Sequence, residues 1–477
     1  MTPRSAAPDD QVRRYVETHH IDVIPAAARH GKPWQQIFFW AGANINVFNI
    51  VLGGVFIEFG LTLWWAIIAI AVGALVGGLL IALHATQGPR LGVPQTIQSR
   101  GQFGFYGAAF MFPIVLLLNV GFIAAQLVIQ AQSLQGVGGS LSIPEWVLIL
   151  AVPAIIIGIF GYRWIHRVMQ ATTIVVGITM VILFIQGLAY KALPASQTTL
   201  HHPPAGLFLA GVALLVIDLL SFGPFVSDYT RYLPEDTNPR RLFWAIYAGN
   251  VLAAFGACSV GAYLTALLPK VTEAGGPVAA IGAVSGKWVL VIMALSLIGS
   301  DTFNGYTGTF QVLAFANMWR RFKSSSVLLR VVPFIIVMII GVVIAVLGYK
   351  NFVANLSNLL NVLLAIFIPW SAVNLTDYFF VRHGNYNVAS FFVPDGRYGR
   401  FAWRGLLAYG IGLVAELPFI SQAYWTGWFV KDLGFADISW IVGFVIPAAL
   451  YLWFAKAWPV QDSASDVPVG GVRTAAL

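Results

Sequence analysis

Apolar runs of about 20 residues, the length needed to cross a bilayer, recur along the 477-residue chain. Twelve are predicted to be transmembrane helices, at about 37–57, 61–84, 107–133, 145–162, 168–190, 205–229, 242–266, 286–316, 331–348, 352–380, 404–423 and 436–457. The run at 286–316 is long enough to be bent. Residues 1–33 are polar, of mixed charge, and carry Pro3, Pro8 and Pro25. They lack the short apolar core and small-residue cleavage site of a secretory signal, so a retained tail is expected. Residues 459–477 read the same way. The chain therefore divides into a tail at 1–33, a twelve-helix domain at 34–458 and a tail at 459–477. The fold class is an all-α polytopic membrane protein.

Composition agrees. The chain is 58% hydrophobic and 10% charged, against about 25% charged in a soluble domain, and its mean hydropathy is +0.79. The net charge of +8 is a topology signal. With an inside N-terminus, every Lys and Arg except Lys191, Lys270, Lys287, Lys350 and Lys431 falls in a tail or loop on the cytoplasmic side, as the positive-inside rule requires. Both termini are expected in the cytoplasm of a plasma-membrane protein. The expected contact of the basic residues is anionic lipid, not nucleic acid. Cys258 is the single cysteine, so no intramolecular disulfide forms.

Segments one and six share an anomaly. "GANIN" (42–46) and "DLLSFGPF" (218–225) place polar residues, Gly and Pro in mid-membrane. Interrupted segments at corresponding positions in two halves point to a transporter's binding site. A break frees amide and carbonyl groups that must face protein, substrate or water. Asn44 and Asn46 either satisfy that backbone and line a cavity, or bond neighbouring helices together. The cluster with Gly42, Gly53 and Gly54 favours the broken helix.

The loop "GPRLGVPQTIQSRGQFGFYG" (88–107), with "FFWAGANINV" before it and "SDYTRYLP" (227–234) after it, resembles the nucleobase–cation symporter-1 family, and within it the purine–cytosine permease branch. The likeness runs from about residue 30 to about 385. It implies a LeuT-type architecture: a five-plus-five inverted repeat, here about 37–190 and 205–380, with two further helices at about 404–457. It also implies substrate and cation sites near helices one, three, six, eight and ten.

Candidate site residues follow from chemistry and resemblance together. A flat heterocycle needs a π-surface and amides at its edge. In segment three Phe122 lies one turn before Gln126 on the same face, matching the family's stacking aromatic and edge amide, although the family more often has Trp at the first position. Asn44 is a further substrate candidate. In segment six a mid-membrane carboxylate, Asp218, is costly and therefore a functional candidate, either bonding a base N–H or carrying a proton. The plain alternative for it is a buried structural hydrogen bond to a broken-helix amide. Ser221 and Phe222 follow; Leu219, Leu220 or Phe222 takes the family's second stacking position. In segment eight Ser300 and Asp301 are substrate candidates. The resemblance implies a sodium site of helix-one carbonyls near Gly42 with two consecutive hydroxyls, but Thr302 is followed by Phe303. The paired aspartates Asp218 and Asp301 fit proton coupling at least as well, so H+ is favoured over Na+. Asn358 and Asn361, one turn apart in segment ten, are gating candidates, with interhelical bonding as the plain alternative.

Other polar residues read as structural. Asp228 with Arg231, and Asp377 with Arg382, are expected caps and ion pairs. His84 is expected to be structural, and Pro94, Gln95 and Ser99, in a cytoplasmic loop too shallow for a midplane site, are candidates for an inner gate. Glu58 and Glu416 are expected as interfacial charges near the outer surface. The histidines are scattered, no metal or cofactor site is evident, and there is no nucleotide-binding loop. An enzyme or a channel is disfavoured. A monomeric secondary transporter for cytosine or a purine is expected, with allantoin, hydantoin-like rings or a vitamin as alternative cargo.

Overall fold

The computed structural model describes residues 23–138, 140–160, 162–316, 318–319, 327–422 and 424–458. The tail residues 1–22 and 459–477, and the basic cluster of Arg320, Arg321 and Lys323, lie outside the described residues.

The expected break in segment one is present. Helix α1 (Gln35–Asn44) and helix α2 (Val47–Glu58) meet at 55°. The asparagines close the break. Asn44 Nδ2 donates to Trp40 O (2.9 Å), and Asn46 Nδ2 donates to Ala43 O (2.6 Å). Asn46 Oδ1 accepts from Asn49 N (2.8 Å) and so caps α2. Asn49 Nδ2 donates to Asn44 O (3.0 Å). The short amides thus add donors to carbonyls of the last turns of α1 and an acceptor for a leading N–H of α2, groups that hydrocarbon cannot satisfy.

Helix α3 (Leu63–Ala85) leads into three short helices, α4 (Gln87–Leu91), α5 (Gln95–Gln98) and α6 (Arg100–Phe103). The chain continues with α7 (Met111–Val137), α8 (Ile143–Phe160) and α9 (Tyr162–Tyr190). Segment six is α10 (Ala205–Leu220), a 3₁₀ turn at Gly223–Phe225, and α11 (Val226–Thr230). Then come α12 (Pro239–Leu267) and α13 (Pro269–Ser285), the latter kinked where Gly276 takes φ +72°. The long segment eight is broken at Leu297 into α14 (Lys287–Ser296) and α15 (Ile298–Ala316). Helices α16 (Val327–Gly348), α17 (Phe352–Thr376), α18 (Trp403–Glu416) and α19 (Ser439–Ala457) complete the fold.

Among the described residues, nine helical stretches are long and apolar enough to span, ten if α1 and α2 count as one. One of them, Val331–Val381, holds most of α16 together with α17, and α18 at 14 residues falls short of the length test. The twelve expected segments are consistent with this.

Two bodies emerge from the packing. Helices α1, α2, α3, α10 and α12 pack chiefly on one another; α7, α8, α14, α15 and α16 form the second group. Helix α9 touches both, and α17 packs with α18 and α19 beside α10. The first body is tight because small residues let backbones approach. A Cβ on Gly261 would lie 1.7 Å from Ile50 O, and one on Gly53 1.9 Å from Cys258 O. Gly73 and Gly77, four residues apart on α3, likewise press on Val212 O and Val216 O of α10. The lipid-facing surface is apolar, with Leu148, Ile149, Val152 and Ile156 of α8 and Ile174, Ile178 and Ile185 of α9 exposed.

Two outcomes are expected. Asn46→Ala removes a helix cap and should lower stability by about 0.5–2 kcal/mol, read as thermal unfolding in detergent, while Asn46→Ser keeps an uncharged cap acceptor and should recover part of that stability. Gly261→Ala sets a methyl against a backbone carbonyl that cannot turn aside. It should cost roughly 1–3 kcal/mol, whereas Gly256→Ala, with nothing within 4 Å, should be tolerated.

Candidate functional site

Asn44 is fully buried, and its Nδ2 also donates to Asn250 Oδ1 of α12 (2.8 Å). Gly42 faces α9, where Thr173 Oγ1 donates to its carbonyl (3.4 Å). Asp218 is buried on α10, within Coulombic reach of Cys258 on α12, and its Oδ2 has no partner among the described residues. Ser221 Oγ donates back to Asp218 O (2.6 Å), taking up a carbonyl at the end of α10. These residues belong to the first body.

The second body holds the other set. Gln130 Nε2 of α7 donates to Asp301 Oδ2 of α15 (2.5 Å). Asp301 Oδ1, Gln130 Oε1 and Gln126 Oε1 are buried without partners among the described residues. Phe122 packs against Phe48 of α2, with centroids 5.2 Å apart, so it meets the first body. Ser300 is half-buried, and its carbonyl accepts from Asn304 Nδ2 (3.0 Å). Thr302 turns toward α8: its Oγ1 donates to Ala154 O (3.0 Å) and Ile298 O (2.8 Å).

The gating candidates lie elsewhere. Asn361 Nδ2 donates to Gln422 Oε1 (2.6 Å) in the connection between α18 and α19, and Asn358 is half-buried one turn earlier. In that connection Ser421–Gln422 and Trp425–Thr426 form a two-residue antiparallel ladder, and Asp437 accepts from Ser421 N, Gln422 Nε2 and Ser439. Glu416 departs from the expectation of an interfacial charge. It is 1% exposed, packed against Gly443 of α19, because the glycine leaves room for the carboxyl between α18 and α19.

A cavity of about 390 Å³ opens between the two bodies at the end that carries the basic loops. Its lining includes Gln36 and Phe39 of α1, Tyr229 of α11, and Phe303, Thr307 and Gln311 of α15. None of Asn44, Phe122, Gln126, Asp218, Ser221, Phe222, Ser300 and Asp301 is among its lining residues. An aromatic block separates it from the level of the helix breaks. Phe39 packs on Tyr229 (4.7 Å between centroids), Tyr229 stacks on Phe303 (5.9 Å, 28°), and Trp40 meets Phe222 edge-on (5.6 Å). Phe303, which interrupts the hydroxyl pair in the sequence, is the second body's share of this block.

Beneath the block lies a buried polar network that the sequence showed only as scattered amides. Gln95 Nε2 donates to His84 Nδ1 (3.3 Å), leaving the ring's Nε2 to donate to Ser371 Oγ of α17 (2.8 Å), and the imidazole stacks on Trp370 (4.7 Å, 8°). The backbone N–H of Gln95 donates to Asp228 Oδ1 (3.1 Å), so that carboxylate caps α5, and Ser227 Oγ donates to Gln95 Oε1. Gln87 and Gln102 bond Asn374 from either side. The network ends on Asp377, fully buried, which accepts from Arg382 Nε (3.2 Å), Gln102 Nε2 (2.9 Å), Tyr386 Oη (2.6 Å) and Tyr451 Oη (2.8 Å). Burial lowers the Arg382 pKa, but Asp377 together with Tyr451, Tyr386 and Tyr398 outweighs it and holds the guanidinium above its ordinary value. Trp370 Nε1 donates to Ser99 Oγ (3.0 Å). The segment 86–104 is therefore not a solvated loop but a buried belt joining α3, α11 and α17.

Helices broken at corresponding positions, two buried carboxyls each with one oxygen unsatisfied among the described residues, and a vestibule between two bodies define a multi-pass transporter rather than an enzyme. The family profile for permeases of cytosine/purines, uracil, thiamine and allantoin matches residues 23–443. The chain belongs to that family, the purine–cytosine permease branch of the nucleobase–cation symporters. It is 32% identical over 449 residues to the putative purine-cytosine permease YxlA of Bacillus subtilis, covering 92% of this chain and 96% of that one. It is 24% identical to the purine-cytosine permease fcyB of Emericella nidulans, over 92% and 88% of the two chains. The fold matches Mhp1, a nucleobase-cation-symport-1 family transporter solved closed with bromovinylhydantoin bound. The TM-score is 0.71 at 18% identity, covering 94% of this chain and 98% of that one. The LeuT-type architecture is thereby established for this chain.

Tyr451→Phe takes one donor from a buried carboxylate and should cost about 1.5–3 kcal/mol. Asp377→Ala should cost more, roughly 3–5 kcal/mol, because it strands Arg382. Thermal unfolding in detergent reads both; equal, negligible losses would show that the hub is not needed to hold the belt.

Proposed function

We propose that the chain imports a nucleobase, cytosine or a purine, across the plasma membrane by cation symport, with H+ favoured over Na+. The observation that carries this reading is the division of the buried aspartates. Asp218 stands in one body and Asp301 in the other, each with an oxygen that no described residue satisfies. A carboxylate at this depth is costly unless it binds something, and a group on each body lets cargo and proton report to both. Phe122 and Gln126 supply a π-face and an edge amide beside Asp301 and Gln130, and base stacking on such a face is worth about 1–3 kcal/mol. Asn44 holds the break, with Ser221 and Phe222 at the second break and Ser300 beside Asp301. Thr302 donating to Ala154 O, and Gly42 O accepting from Thr173, support the proton over a sodium site between those two residues.

The two helix blocks form an inverted repeat whose bodies rock about the site, with Asn358 and Asn361 gating the outer side. Both termini and the basic loops face the cytoplasm, against anionic lipid, and the working unit is a monomer that takes no cofactor. A second reading, a hydantoin-like or allantoin-like cargo, draws support from Phe122 in place of the family's usual Trp and from 22% identity to the hydantoin permease of Microbacterium maritypicum.

Uptake of radiolabelled cytosine, adenine, guanine and hypoxanthine, in cells stripped of their own permeases, tests the proposal. One base should enter saturably, stopped by a protonophore and indifferent to sodium. Asp218→Asn and Asp301→Asn should each cut concentrative uptake by about tenfold or more, the loss expected when a charge-assisted bond of roughly 1.5–3 kcal/mol is removed. Sodium dependence, or full uptake by both variants, refutes the coupling scheme.

A further inference from the structure

The 390 Å³ cavity does work that the helix-break site leaves unassigned. We propose that it is a second binding site for the same planar heterocycle, taken up after the base leaves the level of Asp218 and Asp301 and before it reaches the cytoplasm. This rests on the nucleobase reading above.

Three features carry it. The first is size: the volume lies in the range of small-molecule pockets, so a single heterocycle fits with water beside it. The second is the walls. Phe39 and Tyr229 of the first body and Phe303 of the second line the cavity as one contiguous aromatic block, Tyr229 in contact with both other rings, and every nitrogen heterocycle has faces that stack on such rings. The third is the edge. Gln311, a lining residue, is 3% exposed, and its Oε1 has no hydrogen-bond partner among the described residues. A buried amide oxygen without a donor is costly, and a turn of the Gln311 side chain toward the cavity it lines lets a ring N–H or exocyclic amine supply one. Gln36 stands across the cavity as a second amide; its Oε1 already accepts from Trp40 Nε1 (3.2 Å), which leaves its NH₂ to donate to a ring nitrogen or carbonyl.

The aromatic block is then a partition between two sites. Phe303 and Tyr229 meet at its centre, one from each body. A heterocycle passes only when the bodies separate enough to part those rings, and once below them it is held by the same two residues from the other side.

Equilibrium binding to the full chain in lipid nanodiscs tests this, using as probe whichever radiolabelled base the uptake panel shows to be transported. The wild type should bind two molecules per chain. Gln311→Leu and Phe303→Leu should each bind one, and Asp301→Asn should lose the other molecule while keeping the one that depends on Gln311. Phe303→Leu guards against a folding defect specific to Gln311→Leu. One molecule per chain, unaffected by either cavity variant, overturns the proposal while leaving the nucleobase reading intact. Two molecules, both unaffected, also overturn it. Failure of the wild type to bind or transport any base overturns the nucleobase reading, and this inference with it.

Discussion

The structure depends on closing the backbone of a helix broken inside hydrocarbon. Each unpaired amide or carbonyl there costs several kcal/mol, and the break at Asn44–Asn46 exposes both kinds at once. Three asparagines answer it locally. All three donate to carbonyls of α1, Asn46 also caps α2, and Asn44 extends the arrangement to Asn250 on α12. Because that last bond ties the break to a neighbouring helix, the bend is fixed relative to the first body. The close glycine contacts of α2 with α12, and of α3 with α10, then pack that body tightly.

From this rigidity the rest follows. If one group of helices is stiff, change between states falls at the seam with the other group, where Phe122 meets Phe48 and Phe303 meets Tyr229. Such aromatic contacts are apolar and shallow in energy, worth about 0.5–1.5 kcal/mol beyond their area, so they part more readily than the amide-closed break. The belt at 86–104 works the opposite way. Its amides join α3 and α11 to α17 through buried bonds ending on Asp377, which also accepts from Tyr451 of α19, so the basic end of the first body is held to α17 and α19, and Pro94 and Thr96 of the belt line the cavity.

The breaks were legible in the chain because asparagines, Gly and Pro stand out in apolar runs, and twelve segments could be placed by length and charge. The GxxxG spacing of Gly73 and Gly77 was also there to be read as a close helix contact. Other features were not legible. The belt read only as a cytoplasmic loop with inner-gate candidates, because Asn374 and Asp377, the partners of Gln87 and Gln102, lie more than 270 residues away. Glu416 read as a surface charge because Gly443, which makes room for it, sits on the next helix. Thr302 could be named as a hydroxyl, but its direction toward α8 depends on packing. The cavity could not be foreseen, since its walls come from α1, α11 and α15 together with other elements.

The central claim is that two bodies, one locked by the amide-closed break, separate at an aromatic seam to pass a base. The most direct measurement is the distance between spin labels on cysteines replacing Trp34, at the start of the first body, and Phe315, near the end of α15, across the mouth of the cavity. Both positions are exposed, and the native Cys258 is buried and should not label. The account predicts two distance populations in lipid whose ratio shifts when the transported base is added. A single distance, unchanged by base, would contradict it.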